Sequence, residues 1–471
     1  MRYDGLMTRT FRLSKSKIIA GRQCPKRLWL EVRRPELGVY SAQTEAVFAS
    51  GHRVGAVARS LRPGGILIES QENLSQALRD TEEALRGGAD VTLFEPAFRY
   101  RDVLVRADLL ERRDGVVRVV EVKSSTSVKD YHLSDAAVQA WVIAGSGCDL
   151  GSVGIAHIDS SFVYRGDGDY HGLFREVEVT GQIGDLVAQV PGWVTGFQMM
   201  LANPLPAIAT GAQCSTPFDC PFFAWCSAQE TEAGGLFAVG SGGPPAEHRP
   251  SADYLAAAAH AQIAALGWPR FYLDFETIGF AVPVWAGTRP YEQLPFQWSC
   301  HDEHAPGSLG HAEFLDISGE PPMRACAENL LLALGDEGPI MTYTNYERTM
   351  LRGLSARFED LAEPLAAIAE RLVDLYQITR AHYRHPGLGG SYSLKAVLPT
   401  IAPDLDYAAL DEVQDGLMAQ AAYLAATGHD DAGERVSEER RETLRRALLA
   451  YCAQDTLALV RLAHFLGGDA G

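Results

Sequence analysis

Residues 106–125 read RADLLERRDGVVRVVEVKSS, and this stretch decides the first half of the fold. Apolar and polar residues alternate through VVRVVEVK, the period-2 pattern of a strand with one buried face. The turn Arg113-Asp114-Gly115 joins it to the preceding strand as a hairpin. Glu121 and Lys123 lie two apart, so both face one side, and Asp108 belongs to the strand before. The hard oxygens of Asp108 and Glu121 suit Mg²⁺ or Mn²⁺. Such a cation polarises a phosphate and acidifies its water. Lys123 is then placed to position that water or to stabilise developing negative charge.

A second acidic set lies further along the chain. FYLDFET, residues 271–277, puts Asp274 and Glu276 on one face of a strand that Phe271, Leu273 and Phe275 mark as buried. A buried strand seldom carries two acids without partners. Tyr451 and Asp455, four apart in YCAQDTLAL, share one face of a helix. Glu347 follows a strand-like segment in PIMTYTNYERTML, with Asn345 beside it, and a further acid, Asp374, lies in LVDLYQ. Clustered carboxylates repel unless cations sit among them. Two Mg²⁺ about 4 Å apart would neutralise them and clamp the attacking and leaving oxygens.

The chain has 471 residues, room for two or three domains. Hydrophobic residues make up 46% and charged residues 22%, as expected of a globular protein. No apolar run reaches the roughly 18 residues of a membrane span, so no membrane partner is expected. The segment MRYDGLMTRTFRLSKSK is too polar for an export signal, which makes a cytoplasmic location the expectation. A net charge of −18 excludes a generally basic nucleic-acid coat. Residues 1–34 nevertheless hold ten Lys/Arg against Asp4 and Glu31, +8 locally, leaving −26 for the rest. Such a segment suits a phosphate backbone or a solvated helix face equally. Of eight cysteines, Cys214, Cys220 and Cys226 cluster, which favours a metal or cluster site over disulfides.

Helices are expected over 12–35, 40–62, 131–146 and 181–203. Strands are expected in VTLFEPAFRY, VLVRADLLER, VVRVVEVKSS, SVGIAHID, SSFVYRG and LFREVEV. GSGGPP, 240–245, reads as a linker, and an Ala-rich helix over 251–266 leads onward. Beyond it come strands FYLDFET and LPFQWSCHD, a helix over 321–335, strand PIMTYTN, and mostly helices after Tyr346. The expected class is α/β, with domains at 1–237 and 268–471 joined by 238–267.

Residues 12–227 resemble RecB-family nucleases that carry an iron–sulfur cluster, including CRISPR-associated and helicase-linked members. The resemblance rests on SKIIAGRQCPKRLWL, RADLLERRDGVVRVVEVKSS, SDAAVQAW and CSTPFDCPFFAWC. It implies a PD-(D/E)XK, restriction-endonuclease-like domain with Asp108, Glu121 and Lys123 as catalytic core. Gln139 matches the glutamine of the family's QxxxY helix motif, while Ile143 stands where tyrosine is usual. His52, in ASGHRVGAVA, falls at the family's N-terminal metal-binding histidine, and Glu95 is a further candidate ligand. Cys24 is the matching first member of a four-cysteine set with Cys214, Cys220 and Cys226. Relatives commonly have two residues between the second and third cysteines, where this chain has five. Four thiolates suit zinc or [4Fe–4S]; spacing alone does not choose, and the resemblance implies the iron–sulfur cluster. Joining residue 24 to 214–226 closes a loop of about 190 residues, a structural clasp.

Residues 268–471 are similar to DnaQ-like, or DEDD, exonucleases on the RNase H-like fold, through FYLDFET and YCAQDTLAL. This implies a tyrosine-type centre of Asp274, Glu276, Tyr451 and Asp455, with Glu347 where the family's middle motif usually has Asp. GSYSLKAVLP and FQWSCH resemble a bacterial family of unknown function that joins two nuclease-like domains. Ser393 and Lys395 are candidates for phosphate contact, and Ser393 serves equally as a helix start. The expected function is metal-dependent cleavage of nucleic acid. Both resemblances imply DNA, as single strands or ends, with RNA open for the second domain. One alternative is a single live centre beside a binding platform. Another is a non-catalytic nucleic-acid-binding adaptor in a repair or defence complex.

Overall fold

The computed structural model describes residues 11–69, 73–232, 254–429 and 436–468; the GSGGPP segment lies outside them. The chain is mixed α/β and divides into two compact units. Met1–Ser241 with Ala281–Pro290 form the first, and Gly242–Phe280 with Tyr291–Gly471 form the second.

The first unit is built on a six-stranded sheet in the order Ile66–Leu67, Val91–Phe94, Leu109–Arg113, Val116–Lys123, Leu150–Ile158, Phe174–Glu178. The hairpin pairs Leu109–Arg113 antiparallel with Val116–Lys123, and the latter pairs in parallel with Leu150–Ile158. Helix Asp130–Gly145 makes that parallel crossover and buries Ala136, Val138, Val142 and Ile143 in the core. Two expected strands are each broken in two. VTLFEPAFRY gives Val91–Phe94 and Ala97–Tyr100, and VLVRADLLER gives Val103–Arg106 and Leu109–Arg113. Ala97–Tyr100 and Val103–Arg106 pair in a separate three-stranded sheet with Leu13–Ser14. The ribbon turns this corner at Glu95, whose φ is +56°, and at Pro96, which has no N–H to give a ladder. Asp108 therefore sits in the bend just before its strand, not on it.

Two further expectations change. The helix expected over 12–35 is two, Lys15–Gln23 and Pro25–Arg33, because Cys24 is extended ahead of Pro25. SSFVYRG forms no strand. Strand Leu150–Ile158 already has a neighbour on both edges, so no ladder is left for it. Its Tyr164 N–H instead donates to Thr288 O at 3.0 Å, and Phe162 packs with Val54, Leu173 and Val282.

The second unit has a five-stranded sheet ordered Leu309–Leu315, Leu294–Glu303, Arg270–Ile278, Ile340–Thr342, Leu372–Asp374. The first three strands are antiparallel neighbours, and the last two run parallel to Arg270–Ile278. The lead-in helix is shorter than expected, Ala257–Ala264, and places Ala259 and Ile263 in this unit's core. The 30-residue helix Glu438–Gly467 lies against the sheet. Three buried polar contacts fix its register. Gln297 Nε2 donates to Leu448 O at 2.8 Å, and Thr456 Oγ1 lies 2.8 Å from both Ser299 Oγ and His301 Nδ1. Alternate residues of FQWSCH thus dock the helix. Among the described residues no helix is long and apolar enough to cross a membrane.

Leu110 is fully buried in the first unit's core. Leu110→Ala should cost about 2–5 kcal/mol, seen as a lower denaturant midpoint for one transition only. An unchanged midpoint would place the core elsewhere.

Candidate metal centres

The first acidic set converges on Glu121, which is 2% exposed at the end of the central strand. Its Oε1 accepts from Lys15 Nζ at 2.5 Å and from Lys123 Nζ at 2.8 Å, and its Oε2 accepts from Gln139 Nε2. Lys123 also donates to Asp135 Oδ2 at 2.6 Å, with Lys15 at 3.5 Å from the same oxygen. Asp108 approaches from the corner. The antiparallel ladder stops at Leu109–Val120, and Asp108 Oδ2 takes over by accepting from Val122 N at 2.6 Å.

The two acids are driven apart in acidity. Burial, and then the charge of Glu121, push the Asp108 carboxyl up to about 7. Burial also works against the Glu121 anion, but Lys123 and Lys15 together outweigh it and hold that carboxyl well below the usual range. Gln139 Oε1 is buried without a partner among the described residues, so the amide's acceptor end is unused. Glu95 lines one small cavity with Asp108 and Arg59. His52 is exposed on helix Ala42–Ser60, and among the described residues no hydrogen bond joins it to Asp108 or Glu121.

Asp108, Glu121, Lys123 and Gln139 are therefore brought together, and Lys15 and Asp135 join them. Asp135 was legible, since it precedes Gln139 by four on the same helix and shares its face. Lys15 carried no such signal. Much of the basic N-terminal segment is engaged inside the protein. Arg27 pairs with Glu31, Lys26 donates to Ile208 O and Arg33 to Leu201 O.

Cys24, Cys214, Cys220 and Cys226 line one cavity, with Lys26 and Arg27 at its wall. Backbone bonds shape it: Cys220 N donates to Cys214 O at 2.8 Å and Cys226 N to Phe222 O at 2.9 Å. Burial raises the Cys220 and Cys226 thiols, opposed at Cys226 by Lys26.

The second set gathers at strand Arg270–Ile278. Its parallel neighbour Ile340–Thr342 pairs only with Phe271 and Tyr272, so that edge is open from Leu273 onward. Asp274 and Glu276 follow on the open stretch. The docked long helix brings Tyr451, Cys452 and Asp455, and helix Tyr346–Arg357 brings Glu347 in its first turn. Ligand atoms of Asp274, Glu276 and Cys452 lie within 4.8 Å of one another; among the described residues no other three His, Cys, Asp or Glu side chains do so. The Cys452 Sγ lies 3.8 Å from Asp274 Oδ2. Asp455 Oδ1 accepts from Tyr407 OH at 2.5 Å, and Tyr451 also hydrogen-bonds this carboxylate. Lys395 donates to Gln414 O at 3.1 Å and holds its ammonium 5.1 and 5.5 Å from the rings of Tyr407 and Tyr451.

Every acid here is pushed up. Burial, then Asp455, Glu276 and Glu347, raise Asp274 well above the carboxylate range. Burial and Asp455 do the same to Glu276. Burial takes Glu347 to about 8, and its Oε2 has no hydrogen-bond partner among the described residues. Burial takes Asp455 to about 6 against Tyr407, Lys395 and Tyr451. Asp374 instead caps helix Leu375–His382, accepting from Thr344 N and Tyr376 N. Ser393 stands at the start of helix Leu394–Ile401 without a side-chain capping bond.

A family model described as Domain of unknown function (DUF2779) matches residues 271–393, a span that takes in Asp274, Glu276 and Glu347. No curated protein matches the chain. Among solved structures, the crystal structure of SSO0001 is 16% identical, covering 46% of this chain and 86% of that one, with a TM-score of 0.23.

These shifts set a pH dependence. Carboxyls raised on folding bind more protons folded than unfolded, so their stability is full near pH 4 and is lost as pH rises through about 6 for Asp455, 7 for Asp108 and 8 for Glu347. Glu121 runs the other way and loses its contribution only in acid. In chelator at pH 8, Glu276→Gln should raise the melting temperature by several degrees. Mn²⁺ should stabilise the unmodified protein more at pH 8 than at pH 5.5. A variant less stable than the parent at pH 8 would contradict the crowding of acids.

Proposed function

We propose that the chain is a metal-dependent nuclease with two centres, a PD-(D/E)XK-like one at Glu121 and a DnaQ-like, RNase H-type one at Asp274. The carrying observation is the second centre. Asp274, Glu276, Asp455 and Glu347 come from one strand and two helices to one place where burial pushes every carboxyl toward the proton, and where the charges of Asp455, Glu276 and Glu347 add to that push at Asp274 and that of Asp455 at Glu276. Mg²⁺ or Mn²⁺, when bound, supplies the charge such a set lacks and activates water toward a phosphodiester. The strand order with two parallel strands beside Arg270–Ile278 supports the RNase H-like reading. Tyr451, bonded to Asp455 and next to Lys395, orients water or a phosphate oxygen.

At the first centre, Asp108 and Glu121 would hold the ion, and Glu95 lines the same small cavity as Asp108. Lys123 is held by Asp135, so its ammonium stays beside Glu121 and faces the charge that builds on phosphate. Gln139 orients Glu121 from behind. Lys15 and Lys123 already offset this acidic group, so its demand for added cations is smaller.

The four cysteines line one cavity and as a donor set suit [4Fe–4S] or zinc; the resemblance of the first unit favours the cluster. Cys24, Cys214, Cys220 and Cys226 would hold [4Fe–4S] as a clasp between residue 24 and the 214–226 segment. DNA is the substrate that both resemblances favour.

End-labelled single-stranded DNA, duplex DNA and RNA incubated with Mn²⁺ test the reading. The protein should cut DNA, and chelator should stop it. Asp108→Ala and Asp274→Ala should each remove one activity by at least about 100-fold. Loss of all cutting in one variant alone would leave a single live centre. No cutting of any substrate would refute the nuclease reading. Independently, Cys220→Ala should abolish the visible iron–sulfur absorbance and destabilise the first unit; colourless, zinc-rich protein purified anaerobically would overturn the cluster.

A further inference from the structure

Beside the first centre is a cavity of about 480 Å³ that none of the roles above uses. One wall is helix Lys15–Gln23, through Ile19, Arg22 and Gln23. The other is the start of helix Asp130–Gly145, through Lys129, Tyr131 and Ser134. The two helices reach the catalytic group by their next turns. Lys15, four residues before Ile19, lies on Glu121, while Asp135 and Gln139 follow Tyr131 at four-residue steps. Arg22 links the walls by donating to Ser134 Oγ, with its guanidinium 4.0 Å over the Trp193 ring. Both walls of the cavity thus belong to helices that also carry residues of the Glu121 group.

Its chemistry is specific. Lys129 is exposed at the rim, opposed by the neighbouring acid Asp130. Tyr131 is half-buried and meets Phe218 edge to face at 4.7 Å, and Phe218 is 40% exposed. Two rings in contact beside two cations offer local affinity for a polyanion that also has flat apolar faces, against a chain charge of −18 that repels polyanions elsewhere. Unpaired bases stack on such rings, whereas a duplex keeps its bases inside its own stack.

We propose that this groove binds single-stranded nucleic acid, with a base on the Tyr131–Phe218 pair and a phosphate on Lys129 and Arg22, and feeds the strand to the Glu121 centre. One to two helical turns separate Tyr131 from Asp135 and Gln139, about 6–12 Å. At about 3.4 Å per stacked nucleotide the held base sits roughly two to four nucleotides from the cut. The assignment rests on the nuclease reading of that centre for its purpose, not for its binding.

The test is binding of labelled oligothymidylate, oligouridylate and a blunt duplex to the full chain in chelator, by fluorescence anisotropy. Tyr131→Ala and Phe218→Ala should each weaken single-strand binding roughly tenfold. Lys129→Gln should weaken it and lower the salt slope by about one. The two oligonucleotides decide between DNA and RNA. Phe218 is exposed, so its variant tests stacking even if Tyr131→Ala misfolds. Unchanged single-strand affinity in Phe218→Ala and Lys129→Gln overturns the proposal, as does equal weakening for the duplex. Weakened binding with no cutting under any divalent cation would keep the groove and remove the nuclease reading. Asp108-dependent cutting with normal binding in the groove variants would do the reverse.

Discussion

Carboxylates taken out of water must be met by positive charge or by protons, and the two units meet that demand differently. Around Glu121 the protein supplies its own cations. Lys15 and Lys123 flank one oxygen and Gln139 holds the other, so this acid stays ionised while Asp108 next to it is pushed toward the proton. Around Asp274 the protein supplies Lys395 and two tyrosine hydroxyls against four acids, and all four are raised. The contrast leaves the first group with one acid held ionised by its lysines and the second with every acid pushed toward the proton.

Both groups form where strand pairing stops. At the first, a ribbon turns from one sheet to another at Glu95–Pro96, and the Asp108 carboxylate takes the N–H that the ended ladder leaves on Val122. At the second, Ile340–Thr342 leaves the side of Arg270–Ile278 after Tyr272, and a helix start occupies the gap with Glu347. A ladder that ends frees polar backbone and room together, which is where functional side chains and ligands collect in sheets. The opposing wall needs rigid support. The bonds from Gln297, Ser299 and His301 to helix Glu438–Gly467 provide it, because a one-residue slip would turn Asp455 away.

Several features could be read directly along the chain because their physics is local. Period-2 alternation put Glu121 with Lys123 and Asp274 with Glu276. Four-residue spacing put Tyr451 with Asp455, and the same spacing relates Asp135 to Gln139. Pro25 and Pro96 signalled breaks that the apolar pattern alone ran through. SSFVYRG has the composition of a strand, but a strand also needs a free neighbouring edge, and composition holds no record of which edges are taken.

Strand faces, helix faces and the acidity of the groups on them follow from steric periods of two and 3.6 residues, which any short window contains. The partners that set the charge balance do not. Lys15 meets Glu121 across 106 residues, and Cys452 meets Asp274 across 178. Such pairings exist only once loops close and burial removes water, so folding in three dimensions chose which acids stay charged and which are pushed toward the proton.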